Sequence, residues 1–343
     1  CTPITPVHIG SGEMLAPEDY IVRGRKLIRF HAAGVLRALD PGERKKYEDL
    51  LDQSRLSPAL ELLRTKASDP RFHLYSIGIG EGSRHELEGI LGRPERSGEV
   101  RALPRNPQTQ EILLPGSAIK GAIRTALLST MTGAPAAAAV RREVANQLRG
   151  GSRRVTQAAR DLETGVFGYP SNRTEWDPGR VLKVGDGSLP PDCARVDQAR
   201  IHYRHEQDGG SAGKMQMHVE RLASRADGGP PPTFRIAITL DTDALRDPRA
   251  RFSSQVRDLS WDRIRRSALD FFYTGRLTNE WSRFQSLHKT FSAPFLADVA
   301  GWIAQRLGEG AILLRVGRHS HFESLSVDEL RQSQNRRREP IAE

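Results

Sequence analysis

Leu113-Leu114-Pro115-Gly116-Ser117-Ala118-Ile119-Lys120-Gly121-Ala122-Ile123-Arg124-Thr125-Ala126-Leu127-Leu128 is the stretch that decides how this 343-residue chain is read. Pro115-Gly116 stops an apolar run, and a helix opens at Ser117. Ile119, Ala122, Ile123, Ala126 and Leu127 follow the i, i+3, i+4, i+7, i+8 spacing of one buried helical face. Ser117, Lys120 and Arg124 fall on another face, one turn apart. The helix start therefore gathers backbone N–H groups, a hydroxyl and two cations, which is the chemistry of a phosphate cradle. The same residues also spell an ordinary turn with an N-cap and two solvated cations. The order G-x-x-x-x-G-K-[ST] is absent, so this is not a Walker loop.

Composition favours a nucleic-acid partner. The formal net charge is +10, and of 52 lysines and arginines only eight are lysine, leaving 44 arginines. Arginine makes planar bidentate contacts with phosphate and stacks on bases. A GC-rich genome would produce the same bias, so charge alone does not decide. A hydrophobic content of 37% is enough for a core. No run of 18 apolar residues occurs, so no transmembrane helix is expected. No signal peptide is visible, although the chain starts at Cys1 rather than Met. Cys1 and Cys193 give no disulfide framework and suit a reducing cytoplasm.

Away from the central stretch, strand and helix patterns mix. Residues 2–9 read as a first strand ended by Gly10-Ser11-Gly12, and residues 20–30 as a hairpin around Arg23-Gly24-Arg25. Helices are expected over 34–39, 41–51 and 57–66, and a strand over 72–79. Residues 89–110 read as loop, with a short strand at 99–103. An Ala-rich helix over 134–148, a flexible basic loop with Arg153 and Arg154, and a short helix over 157–164 follow. Strands are expected at 181–184, 195–203, 215–221 and 234–240, then helices over 261–287 and 294–307 and a last strand over 312–316. The class is α+β, in three segments: 1–132, 133–180 and 181–343.

Three motifs carry a resemblance. The stretch 114–127 resembles the signature of the RAMP superfamily of CRISPR-associated proteins. Thr5-Pro6-Val7-His8-Ile9-Gly10-Ser11-Gly12-Glu13, followed by Tyr20-Ile21, looks like the opening of these proteins. Ile312-Leu313-Leu314-Arg315-Val316-Gly317-Arg318-His319-Ser320 sits where the family has its glycine-rich loop, with fewer glycines than usual. Within the family the pattern is most similar to the Csm-complex subunits of type III-A systems that cap the 3′ end of the CRISPR RNA (crRNA). The resemblance implies a ferredoxin-like, RRM-type core with helical and loop insertions. It implies crRNA and target RNA as partners, beside a repeated backbone RAMP subunit and a small helical subunit, in the cytoplasm. It assigns RNA contact to His8, Gly10, Ser11, Gly116, Ser117, Lys120, Gly121, Arg124, Gly317, Arg318, His319 and Ser320; Arg153 and Arg154 join them as cations of the basic loop, whose plain reading is a solvated arm.

Catalytic and metal chemistry find little support in the sequence. No Ser-His-Asp order, C-x-x-C pair or H-E-x-x-H helix occurs. His319 and His321 lack a carboxylate or cysteine partner nearby, and Asp241 and Asp243 read as turn residues. No catalytic residue, metal or cofactor is therefore expected, and the chain reads as a non-catalytic RNA-binding subunit. Two alternatives stay open. One is a RAMP endoribonuclease using His8 or His31 for metal-free acid–base cleavage. The other is an enzyme binding a phosphorylated small molecule at the Gly116 helix.

Overall fold

The computed structural model describes residues 1–91, 98–132, 152–170, 172–173, 176–200, 216–250, 252–278 and 293–317. In chain order they carry β1 (Met14–Leu15), β2 (Tyr20–Arg23), β3 (Lys26–Phe30), α1 (Ala32–Arg37), α2 (Pro41–Asp52), α3 (Leu56–Ala67), β4 (His73–Ile79), α4 (Glu81–Leu91), β5 (Val100–Arg101) and β6 (Ile112–Leu114). Next come α5 (Gly116–Thr132), α6 (Ser152–Phe167), β7 (Leu182–Val184), β8 (Gly187–Leu189), β9 (Ala194–Arg200), β10 (Gln216–Leu222) and β11 (Ile238–Leu240). The remainder is helical: α7 (Thr242–Arg246), α8 (Ser254–Arg257), α9 (Trp261–Ala268), a π-helix (Leu269–Leu277) and α10 (Ala293–Gly308). The chain forms two compact units, Cys1–Leu114 with Gly187–Arg235, and Pro115–Asp186 with Ile236–Glu343. These units interleave along the sequence, unlike the consecutive segments 1–132, 133–180 and 181–343.

The first unit holds a seven-stranded mixed sheet in the order β1-β5-β10-β9-β4-β3-β2. Tyr20 to Arg23 pair with Arg29 to Lys26 in register. Gly24, at the first position of the two-residue loop, has φ 59°, which a side chain would resist. Asp40 and Glu43 close a reciprocal capping box on α2, with Pro41 at its start. Lys66 on α3 then reaches Glu43 at 2.7 Å and ties the two helices together. Ile21, Ile28 and Phe30 from the hairpin bury against Val35, Leu63 and Ala67 of α1 and α3. Each such side chain contributes about 1.5–3 kcal/mol when fully buried.

The second unit is built around α5. Ile119, Ala122, Ile123, Ala126 and Leu127 are all buried, as the spacing predicts. Ile119, Ile123 and Leu127 pack with Leu162, Val166 and Phe167 of α6 and with Leu182 of β7. Ala122 and Ala126 face Ala268, Phe271 and Phe272, the last two meeting edge to face at 4.8 Å. Both units together are the mixed α and β class expected, the first with a large sheet at its centre.

Several expectations change. Residues 2–9 make no strand; Val7 alone bridges to Leu222. Residues 81–91 form α4, which the sequence reading left out. Arg153 and Arg154 lie in the first turn of a 16-residue helix rather than a loop. Residues 311–316 form no strand, yet Ile312, Leu314 and Val316 pack on the core. The helix expected over 261–287 turns into a π-helix at Leu269–Leu277. The expected helix over 134–148, residues 201–215 and 279–287, and Arg318, His319, Ser320, His321 and the residues after them lie outside the described residues.

Candidate nucleic-acid interface

The start of α5 is held in place by the strand beside it. A Cβ on Gly116 would stand 2.4 Å from the Val184 carbonyl oxygen and 2.5 Å from that of Gly185. Only glycine lets the helix begin this close to β7. The Gly116 N–H donates to Asp186 Oδ1 at 2.7 Å. A carboxylate thus already occupies the end of the helix where a phosphate was expected. Gly116 thus serves packing against residues 184 and 185, and its N–H is engaged by Asp186.

Arg124 is also bonded within the fold. Its Nε donates to Glu163, its Nη1 to Asp177 at 2.5 Å and its Nη2 to the Tyr169 hydroxyl at 3.1 Å. The guanidinium also lies over the Phe167 ring, 4.8 Å from its centroid. These hydrogen bonds hold the Arg124 proton more firmly than usual against the opposing effect of burial, which is the largest single influence on the group. Gly179 permits the arrangement, since a Cβ there would meet Arg124 Nη1 at 2.6 Å. Arg124 clamps α5 to α6 and to the turn at 177–180, so three of its five N–H groups face protein.

Of the candidate contact residues on α5, Ser117, Lys120 and Gly121 lie on its outer side. Ser117 and Gly121 are exposed, and Lys120 is half-buried with no hydrogen bond or ion pair among the described residues. A Cβ on Gly121 would meet no atom within 4 Å. Glycine inside a helix costs about 1 kcal/mol relative to alanine, and here no neighbouring protein atom requires it. The cavity below, lined by Lys120, Leu127, Met131 and Phe167, has about 20 Å³, room for a water and not for a metabolite.

The N-terminal motif lies in the first unit. His8 is buried, and its Nδ1 lies 2.6 Å from the Glu220 carbonyl oxygen. Ser11 Oγ donates to the Ala102 carbonyl at 3.2 Å and accepts the Glu13 N–H at 3.0 Å, fixing an exposed turn that includes Gly10. His31 Nδ1 accepts the Gly34 N–H at 2.8 Å and caps α1. Both histidines considered for acid–base chemistry therefore hold backbone. His8 Nδ1 is thereby engaged with β10.

Sequence reasoning also missed the polar centre beneath this motif. Glu220 on β10 is fully buried and accepts from Tyr75 at 2.6 Å, the Leu103 N–H at 3.0 Å and Arg105 at 3.2 Å. Arg105 stacks over the Tyr75 ring at 3.8 Å. Burial, reinforced by the Glu220 charge, pushes the Tyr75 hydroxyl pKa well up. The alternation of His218, Glu220 and Leu222 along one strand face is the signal that could have found Glu220.

Gly317 has φ 106°, a conformation that glycine tolerates, while Arg318, His319 and Ser320 lie beyond the described residues. The side chains of Arg153 and Arg154 are likewise outside them. Asp241 caps α7 through the Ala244 N–H at 3.0 Å and pairs with Lys183 at 3.0 Å, as a turn residue does. No group of three or more histidine, cysteine, aspartate or glutamate side chains among the described residues is placed to hold a metal ion. No described helix is long and apolar enough to cross a membrane.

Comparison with known proteins places this architecture. The crystal structure of Csm5 from T. onnurineus superposes with a TM-score of 0.63 at 20% identity, covering 92% of this chain and 89% of that one. A chain of the Csm–crRNA–target RNA ternary complex of a type III-A CRISPR–Cas system, solved by cryo-electron microscopy, gives 0.62 at 19% identity, covering 97% and 88%. No curated protein sequence matches. The model of the RAMP superfamily matches residues 1–241, which include the N-terminal turn and the whole of α5, and the chain belongs to that superfamily.

Proposed function

We propose that this chain is a non-catalytic, RNA-binding subunit of a type III CRISPR effector and that it holds and caps the 3′ part of the crRNA. The observation that carries the reading is the outer face of α5. Ser117, Lys120 and Gly121 present a hydroxyl, a cation and bare backbone where no described protein atom approaches Gly121. A sugar–phosphate backbone fits such a face: the cation meets phosphate, and the missing Cβ allows close approach. The chain's net charge of +10 supplies the wider field. Sequence is then read by guide–target pairing, so charge and shape suffice.

The likeness to Csm5 and to a chain of the Csm–crRNA–target RNA complex supports crRNA, target RNA and other effector subunits as partners, and the cytoplasm as the place of action. The structural bonds of His8 and His31 support a role without RNA cleavage. Asp186 at the helix start and the small cavity beneath α5 weigh against a phosphorylated metabolite.

Nuclease protection mapping of the guide tests this reading. An effector lacking this chain is expected to expose or shorten the guide 3′ end while the 5′ end stays protected; loss confined to the 5′ end would refute the capping role. Lys120→Ala should weaken RNA binding alike at all sequences, by about 1 kcal/mol, and flatten the salt slope by about 0.7. RNA turnover by the purified chain that disappears with His8→Ala or His31→Ala would refute the non-catalytic part.

A further inference from the structure

A second polar surface lies in the same unit, outside the face just described. A groove of about 380 Å³ runs along α9 and the start of the π-helix. Arg263 and Arg266 line it from α9, Asp258 from the preceding turn and Asp270 from the π-helix, with the hydroxyls of Thr130 and Ser267 between. The two hydroxyls bond each other at 2.8 Å, and Arg263 Nη1 donates to the Gln255 carbonyl at 2.8 Å. Arg266 Nε donates to the Asp262 carbonyl at 3.3 Å. The Arg266 Nη groups and the carboxylates of Asp258 and Asp270 have no hydrogen-bond partner among the described residues. The groove is continuous with an exposed arc of α9. At about 100° per residue, Trp261, Arg265, Asp262 and Arg266 follow one another around the helix. Trp261 is 44% exposed there, one of four large apolar side chains so open among the described residues.

We propose that the groove and this arc dock a segment of a neighbouring protein subunit that carries both a carboxylate and a cationic side chain. The inference rests on the reading of the chain as part of a ribonucleoprotein. Charge selects protein over RNA. The two arginines and two aspartates of the groove cancel, so a polyanion gains no net attraction and meets two like charges. A segment of mixed sign pairs with all four groups. Tryptophan and arginine are also the side chains on which protein interfaces most often depend. A π-helix at the groove edge adds to this, since such turns concentrate at functional sites.

Opposite charge changes separate the two partners. The full chain, co-expressed with the other effector subunits and guide RNA, would carry either Arg266→Glu or Asp270→Arg. Both side chains are on the surface, and circular dichroism checks that each variant folds. Each change should lower recovery of the neighbouring subunits at least fivefold, while the affinity of the isolated chain for RNA and its salt slope stay within about twofold of the unmodified chain. Unchanged recovery with both variants would overturn the proposal. So would loss with Arg266→Glu together with gain with Asp270→Arg, the pattern of an RNA groove. If the unmodified chain itself recovers neither RNA nor subunits, the functional reading fails instead, so the two failures are distinct.

Discussion

Arg124→Ala distinguishes a clamp within the fold from a ligand for phosphate, and its size can be worked from the contacts. The arginine side chain is 21% exposed, with Glu163 at 30% and Asp177 at 29%, so solvent screens the pairs only in part. Two charge-assisted hydrogen bonds at about 1 kcal/mol each, after allowance for that exposure, account for most of the effect. The stack on Phe167 adds about 0.5 kcal/mol. Removing the cation also leaves two part-buried carboxylates without their shared counter-charge, at a further cost of about 0.5–1 kcal/mol. The loss should come to about 3 kcal/mol, or a fall in melting temperature of roughly 6–12 °C. Thermal melts at low and high salt would measure it, and the deficit should shrink as salt screens the pairs. RNA titrations below the melt should return an unchanged salt slope. A variant that melts with the unmodified chain but loses about 0.7 from its RNA salt slope would show that Arg124 faces phosphate, and the reasoning would be wrong.

The two glycines of α5 should respond in opposite ways. Gly116→Ala forces a Cβ against two carbonyl oxygens and should cost about 1–3 kcal/mol in urea unfolding, whereas Gly121→Ala should stabilise by about 0.5–1 kcal/mol and weaken RNA binding. Glu220→Ala strands Arg105 in the interior and should destabilise the first unit by about 3–5 kcal/mol, read by denaturant titration of the full chain. Burial holds the His218 imidazole below its ordinary pKa, opposed by Glu86, so the unfolded chain takes up this proton first as pH falls below about 6.5. Stability should therefore drop between about pH 7 and pH 5, and His218→Gln should flatten that part of the urea-midpoint profile.

The elements legible in the sequence are those whose signals are local. The period of Ile119 to Leu127, the Asp40-Pro41 start of α2 and the Gly24 turn each sit within one element, and each appears where expected. The misses have partners far along the chain. Val7 bridges to Leu222, and Arg124 meets carboxylates 39 and 53 residues away. Helix α4 was hidden by Gly82 and Gly89, two residues that lower helix propensity. Residues 312–316 alternate no better than a strand should, and their apolar side chains serve packing against α5 and the π-helix instead. The candidate interface was legible as a motif and illegible in its roles, because nothing local says which cation already has a carboxylate.

The motif at 114–127 therefore combines two kinds of constraint that a sequence match cannot separate. Gly116 and Arg124 answer to the inside: one admits the carbonyls of residues 184 and 185, the other holds α6 and the 177–180 turn. Lys120 and Gly121 answer to the outside, since no described residue pairs with the first or approaches the second. A chain that kept the inner pair and lost the outer one would still fold as this unit does and would resemble the same superfamily. It would present no cation and no bare backbone on α5, and RNA binding at this face should fail. The double variant Lys120→Ala, Gly121→Leu tests that separation directly. Its melting temperature should stay at or above that of the unmodified chain, because leucine replaces glycine in an open helix position at a gain of up to about 1 kcal/mol. Guide RNA recovered with the complex should fall by contrast. Retention of guide RNA at its full amount and length would move the RNA contact off α5 altogether.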